Sequence, residues 1–151
     1  MQKAVTADFE PFNASSWRIG VVVSEFNGDI TGKLRDGALK RAAEYQIPKE
    51  NIEIISVAGA VEIPLALQHL AKKNKYDALL AIGCVIRGET PHFEYVCDIA
   101  TQGVLQVQLD HSIAIGFGVL TCDDASQAEA RTNLGGGHLD AALHLAKVLK
   151  D

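Results

Sequence analysis

The sequence predicts an α/β fold, a three-layer αβα sandwich in which helices cover both faces of a four-stranded parallel sheet. Three observations predict it. Runs rich in β-branched and other apolar residues occur four times, as in a parallel sheet covered on both faces. Each run is followed by a segment whose apolar residues return at helical spacing. The length, 151 residues, suits one domain, and a chain of that size buries roughly 68–70% of its unfolded surface.

Arg18 to Ser24 (RIGVVVS) is the first strand, and Thr31 to Tyr45 the first helix, with Leu34, Ala38, Ala42 and Tyr45 on one face. Asn51 to Val57 (NIEIISV) is the second strand, followed by a helix from about Val61 to Lys73. Tyr76 to Cys84 is the third strand and Pro91 to Leu109 the third helix. Ser112 to Thr121 is the fourth strand; Ala125 to Arg131 and Leu139 to Leu149 read as two helical pieces split by Gly135-Gly136-Gly137. Residues 1–17 break this rhythm. With Pro11, Phe9 and Phe12 but no regular period, they read either as a tail that packs on a neighbouring subunit or as a disordered terminus, ahead of a domain spanning 18–151.

Composition narrows the function classes. Hydrophobic residues make up 48% and charged residues 22%, and no apolar stretch is long enough for a membrane span. The first residues lack both an apolar signal core and a basic, acid-poor leader, so a soluble, cytoplasmic protein is expected. A net charge of −5 with scattered Lys and Arg gives no footprint for a nucleic-acid partner. The three cysteines, Cys84, Cys97 and Cys122, lack C-x-x-C spacing and read as small buried hydrophobes. His69, His111, His138 and His144 show no metal-ligand spacing and are expected at the surface or as caps. Phosphate-binding Gly-Lys loops, the dinucleotide G-x-G-x-x-G and the G-x-S-x-G elbow do not occur.

In an open parallel sheet, ligands bind outside the carboxyl ends of the strands, so the loops after each strand are the places to search. After the first strand, Phe26 reads as a stacking surface for a flat heterocycle or as a lid on the core, and Asn27-Gly28 as turn residues. After the second, Gly59, Ala60 and Val61 let a ligand approach the backbone, while Glu62 either meets a polyol or complements the helix dipole; composition favours the dipole. The third loop, GCVIRGETPHFEYV from Gly83 to Val96, is the richest. Its free amides near Glu89, Thr90 and His92 suit a phosphate, Pro91 fits a first helical position, and His92 offers an imidazole suited to proton transfer near neutral pH or to a structural role. Arg87 reads either as an anion contact or as held in a salt bridge, the preferred reading. After the fourth strand, Thr121-Cys122-Asp123-Asp124 reads as a helix cap; Arg131 further on is either a phosphate ligand or, the better reading by itself, part of a solvated face.

Taken together in order, SEFNGDIT (24–31), GAVEIPLA (59–66), GCVIRGETPHFEYV (83–96), GFGVLT (116–121) and QAEAR (127–131) resemble the lumazine synthase family, from about Arg18 to the C-terminus. The resemblance implies a flavodoxin-like fold and the penultimate step of riboflavin biosynthesis. In that step 5-amino-6-(D-ribitylamino)uracil condenses with 3,4-dihydroxy-2-butanone 4-phosphate to 6,7-dimethyl-8-ribityllumazine, releasing phosphate and water, without metal or organic cofactor. It also implies active sites between adjacent subunits of a homopentamer, which in some members closes into a sixty-subunit icosahedral shell. Carried over, it sets the pyrimidine against Phe26 and the backbone of Val85 and Ile86, and the ribityl chain against Gly59, Ala60, Val61 and Glu62. The phosphate falls at Gly88, Glu89 and Thr90 with Arg131 of a neighbouring subunit, Phe117 of the neighbour lies over the pyrimidine, and His92 transfers protons.

Two departures stand out. Ala58-Gly59-Ala60-Val61 replaces a common Pro-Gly-Ala-Phe or Pro-Gly-Ala-Tyr, a region of largely backbone contacts. Thr132 to His138 (TNLGGGH) replaces a longer stretch whose Lys contacts the pyrimidine; the sequence has no matching Lys and leaves open whether His138 stands in. Rival readings are an archaeal-type riboflavin synthase and a non-catalytic flavin-binding or shell-forming homologue; the GETPHF segment with its downstream Arg131 favours the synthase of lumazine.

Overall fold

A computed structural model describes residues 7–151. Four strands, β1 (Ile19–Ser24), β2 (Ile52–Val57), β3 (Ala78–Ile86) and β4 (Ala114–Cys122), form one parallel sheet in the order β2-β1-β3-β4. The register runs from Ile19 opposite both Ile52 and Ala78, and from Ala78 opposite Ala114. Strand β1 is buried throughout and β3 nearly so, which is why both read as unbroken apolar runs; β2, at an edge, is only half-buried.

Among the described residues, five α-helices cover the sheet: α1 (Gly28–Glu44), α2 (Ile63–Ala71), α3 (His92–His111), α4 (Ala125–Glu129) and α5 (Gly135–Lys150). The pleat sends alternate side chains to opposite faces. Val21, Val23, Leu80 and Ile82 join Leu34 and Ala38 of α1 and Leu139 and Leu143 of α5 in one core. Val22, Leu79 and Ala81 join Ile63 and Leu67 of α2 and Val104 and Val107 of α3 in the other. This is the expected αβα sandwich, of flavodoxin-like form, with strand ends moved by a few residues. Among the described residues no helix is long and apolar enough to cross a membrane.

The glycine triplet is a correction. It does not split the last two helical pieces; it is the first turn of α5, and the interruption lies just before it, where Thr132–Leu134 makes a 3-10 turn. The reason is helix packing. A β-carbon on Gly135 would stand 2.0 Å from the Leu34 carbonyl oxygen, and one on Gly136 would lie 3.3 Å from Cβ of Arg41. Gly135 is glycine so that α5 can press against α1, whereas a β-carbon on Gly137 would meet nothing within 4 Å; a rule that treats Gly runs as breakers misses the packing at Gly135.

Two histidines also differ from expectation. His144 packs between aromatic rings, 4.5 Å from Phe9 and 5.2 Å from Phe12 by centroids, with Nε2 3.1 Å from the Tyr45 hydroxyl. Tyr45 donates to buried Asp140 at 2.5 Å, which also accepts from Arg41 Nε at 2.8 Å. Burial and Asp140 together push the Tyr45 hydroxyl well above the ordinary tyrosine range. His138 lies against β4: a β-carbon on Gly118 would be 2.9 Å from its Nδ1, which is buried without a hydrogen-bond partner. Their aromatic or sheet neighbours, distant in sequence, draw both rings inward. His69 is exposed and His111 ends α3, as expected.

The described part of the tail, residues 7–17, packs on its own chain. Arg41 Nη2 donates to the Phe9 carbonyl at 2.8 Å, Ala14 is fully buried, and Phe12 meets the Tyr45 ring edge-on at 5.1 Å. Residues 1–6 of the expected tail lie outside the described residues.

Candidate active site

The cleft with chemical promise lies at the carboxyl ends of β1 and β3, where the chain order reverses across the sheet, and encloses about 330 Å³. Of the residues singled out in the sequence, Phe26, Gly59, Ala60, Val61, Glu62, Val85, Ile86 and His92 all line it. Gly88, Glu89 and Thr90 follow in the exposed loop between β3 and His92.

Each wall has a local cause. Phe26 leaves the end of β1 with its amide donating to the Ala58 carbonyl at 2.9 Å, which ties this loop to the one after β2. Asn27 then takes a left-handed conformation, φ 58°, and its Nδ2 donates to the Cys84 carbonyl at 2.8 Å, fastening the same loop to β3. The Phe26 ring, 65% exposed, therefore stands on an anchored backbone over Gly59. A large ring held in solvent on fixed supports offers an apolar surface on which a flat partner could stack.

Glu62 sits in a 3-10 turn, Ala60–Glu62, ahead of α2. One carboxylate oxygen accepts from the Gly59 amide at 2.9 Å. That bond caps the turn and holds the carboxylate at the cleft margin. Across the cleft, His92 opens α3, with its amide 3.4 Å from Thr90 Oγ1 and the first-turn N–H groups of a long helix beside it. Among the described residues, no Lys or Arg lines the cleft. Arg87 is held in the expected salt bridges, to Asp123 at 2.9 Å and to Glu94.

Phe117 and Arg131 are not brought to this cleft. Phe117 lies on the outer strand β4, in an apolar groove with Val104 and Leu105 of α3. Arg131 follows α4, exposed, its Nη1 donating to the Gln127 carbonyl at 2.8 Å. The α4 start is capped as the sequence suggested: Asp124 accepts from the Gln127 amide at 2.9 Å, and that bond holds its carboxyl below the ordinary range. His138 lies on the sheet face opposite Phe117, since the flanking Gly116 and Gly118 face it.

Sequence reasoning missed Asn27, Cys84 and Val96 as lining residues. Asn-Gly directly after a strand was the available signal for Asn27, because Asn is among the residues that tolerate positive φ. Burial pushes the Cys84 thiol up to about 11, so it stays neutral and acts as wall, not nucleophile. Among the described residues, no three His, Cys, Asp or Glu side chains converge to hold a metal ion.

The model of the family described as 6,7-dimethyl-8-ribityllumazine synthase matches residues 16–150. The chain belongs to that family. A protein of Desulfovibrio desulfuricans bearing the same description is 40% identical over 140 residues, covering 91% of this chain and 90% of that one. One of Coxiella burnetii, described alike, is 42% identical over 142 residues, covering 91% and 94%. The lumazine synthase match spans every loop that builds the cleft, as well as Phe117 and Arg131.

Proposed function

We propose that this protein condenses 5-amino-6-(D-ribitylamino)uracil with 3,4-dihydroxy-2-butanone 4-phosphate to give 6,7-dimethyl-8-ribityllumazine, phosphate and water. Family membership supports the reaction type. The observation that carries the substrate reading is the pairing of an anchored, exposed Phe26 ring with the N-terminus of α3 across one cleft. A ring surface suits the pyrimidine and free amides suit the phosphate. Val85 and Ile86 then read the pyrimidine edge, and Gly59, Ala60, Val61 and Glu62 follow the ribityl chain. Gly88, Glu89 and Thr90 surround the phosphate.

His92 is proposed to move protons as amine and ketone join. Much of the remaining acceleration comes from holding two substrates together, which can supply several kcal/mol. Because no Lys or Arg among the described residues lines the cleft, the phosphate is proposed to take its cation from elsewhere. Arg131 and Phe117, both outside the cleft of their own subunit, fit a homopentamer in which each subunit completes its neighbour's site. That pentamer is the proposed minimal unit, acting in the cytoplasm.

The test is to mix protein with both substrates and follow lumazine absorbance against the uncatalysed background. Clear acceleration is the expected result. A rate equal to background, with lumazine or riboflavin still bound, would move the protein to a flavin-binding role.

A further inference from the structure

Residues 88–92, which run from β3 to α3 and carry the proposed phosphate amides and His92, are all exposed. They have little to hold them. A β-carbon on Gly88 would meet nothing within 4 Å, and the one polar side-chain contact inside the segment is the long one from the His92 amide to Thr90 Oγ1, 3.4 Å. Such a segment ordinarily samples many conformations, which would blur any anion site built from its amides.

Its two ends are joined by one side chain. At the start, the Arg87 amide donates to the Cys122 carbonyl at 2.9 Å, pinning the chain to β4. Arg87 Nε donates to Asp123 Oδ1 at 2.9 Å, just beyond β4. Its Nη1 donates to Glu94, in the first turn of α3, and its guanidinium lies 4.4 Å from the centroid of the Phe93 ring, the residue after His92. The side chain therefore spans from the residue before the loop to the two residues after it. Bridging the ends of a short loop this way restricts the conformations open to it.

We infer that Arg87 is a positioning residue: its guanidinium, bridging Asp123, Phe93 and Glu94, fixes the 88–92 loop so that its amides and His92 converge on the phosphate of the substrate. This rests on the phosphate site proposed above and adds the residue that shapes it. Arg87 is not itself the anion ligand, because two carboxylates already face its charge. Arg131 remains the proposed cation for the phosphate.

The experiment is calorimetric titration of the intact assembled protein with inorganic phosphate, for the parent, Arg87→Met, Arg87→Lys and the double variant Glu94→Gln/Asp123→Asn. A misplaced loop should weaken phosphate binding about tenfold in Arg87→Met and in the double variant, with Arg87→Lys intermediate because one pair survives. The double variant separates positioning from contact by sign. Were Arg87 a direct ligand, removing its carboxylate partners would free it and tighten phosphate binding; tightening overturns the inference, as does parent-like binding in all variants. A parent that binds no phosphate instead removes the proposed phosphate site, and Arg87's role with it. Melting temperatures close to the parent's exclude misfolding, since both substituted carboxylates are exposed.

Discussion

A β-carbon on Gly59 would stand 2.6 Å from Cδ2 of the Phe26 ring, so the smallest side chain in the second loop sets where the largest one in the first can lie. The ring is solvent-exposed and can swing aside, so an added methyl would move it without unfolding the protein. Gly59→Ala should leave the melting temperature almost unchanged and raise the Michaelis constant for the ribitylaminouracil about tenfold, as a displaced binding surface does. An unaltered constant would remove Phe26 from pyrimidine binding.

His92→Ala should slow turnover roughly 10²-fold without abolishing it, because positioning of both substrates survives. Arg131→Ala should raise the Michaelis constant for the butanone phosphate while its own cleft stays intact. The two variants also test the shared site. If they are unfolded together, mixed and reassembled as pentamers, about a quarter of the subunit interfaces should join an intact His92 to an intact Arg131. Activity of the mixture above the mean of the two parts is expected; a simple average would place both residues in the same subunit's site.

Gly135 is helical, so its need for glycine is one of space. Gly135→Ala forces a methyl against the Leu34 carbonyl and should lower stability by about 2 kcal/mol, seen as a lower urea midpoint. A parent-like midpoint would mean that α1 and α5 separate freely.

What could be read from the sequence depended on whether the cause was local. The strands were legible because burial on both faces leaves uninterrupted apolar runs, as in Leu79 to Ile82. The cleft followed, since loops after parallel strands share one end of the sheet, and so Phe26, Glu62 and His92 met as expected. Gly135 and His138 were misread because their reasons lie about a hundred and about twenty residues away, at Leu34 and Gly118. Asn27 was only half legible: its turn showed, but its bond to Cys84 across the sheet did not.

Burial lowers the proton affinity of His138. In the folded state it stays neutral to lower pH than in the unfolded chain, so the unfolded state binds more protons as pH drops through the ordinary histidine range. Its contribution is a loss of stability on acidification that begins near the unfolded value, about pH 6.5. His138→Met, which keeps an apolar side chain of similar size against Gly118, should lose less stability than the parent between pH 7.5 and 5.5. Equal losses in urea titrations at the two pH values would show that His138 titrates alike in both states.

Among the described residues, all that line the cleft fall between Phe26 and Val96, whereas Phe117 and Arg131 come later in the chain. A growing polypeptide therefore leaves the ribosome with its own binding walls first and the parts it would offer another subunit last. Order of synthesis would then set an order of completion: the walls of a chain's own cleft are made first, while the Asp123 that braces Arg87 and the Arg131 offered to a neighbour come only near the end.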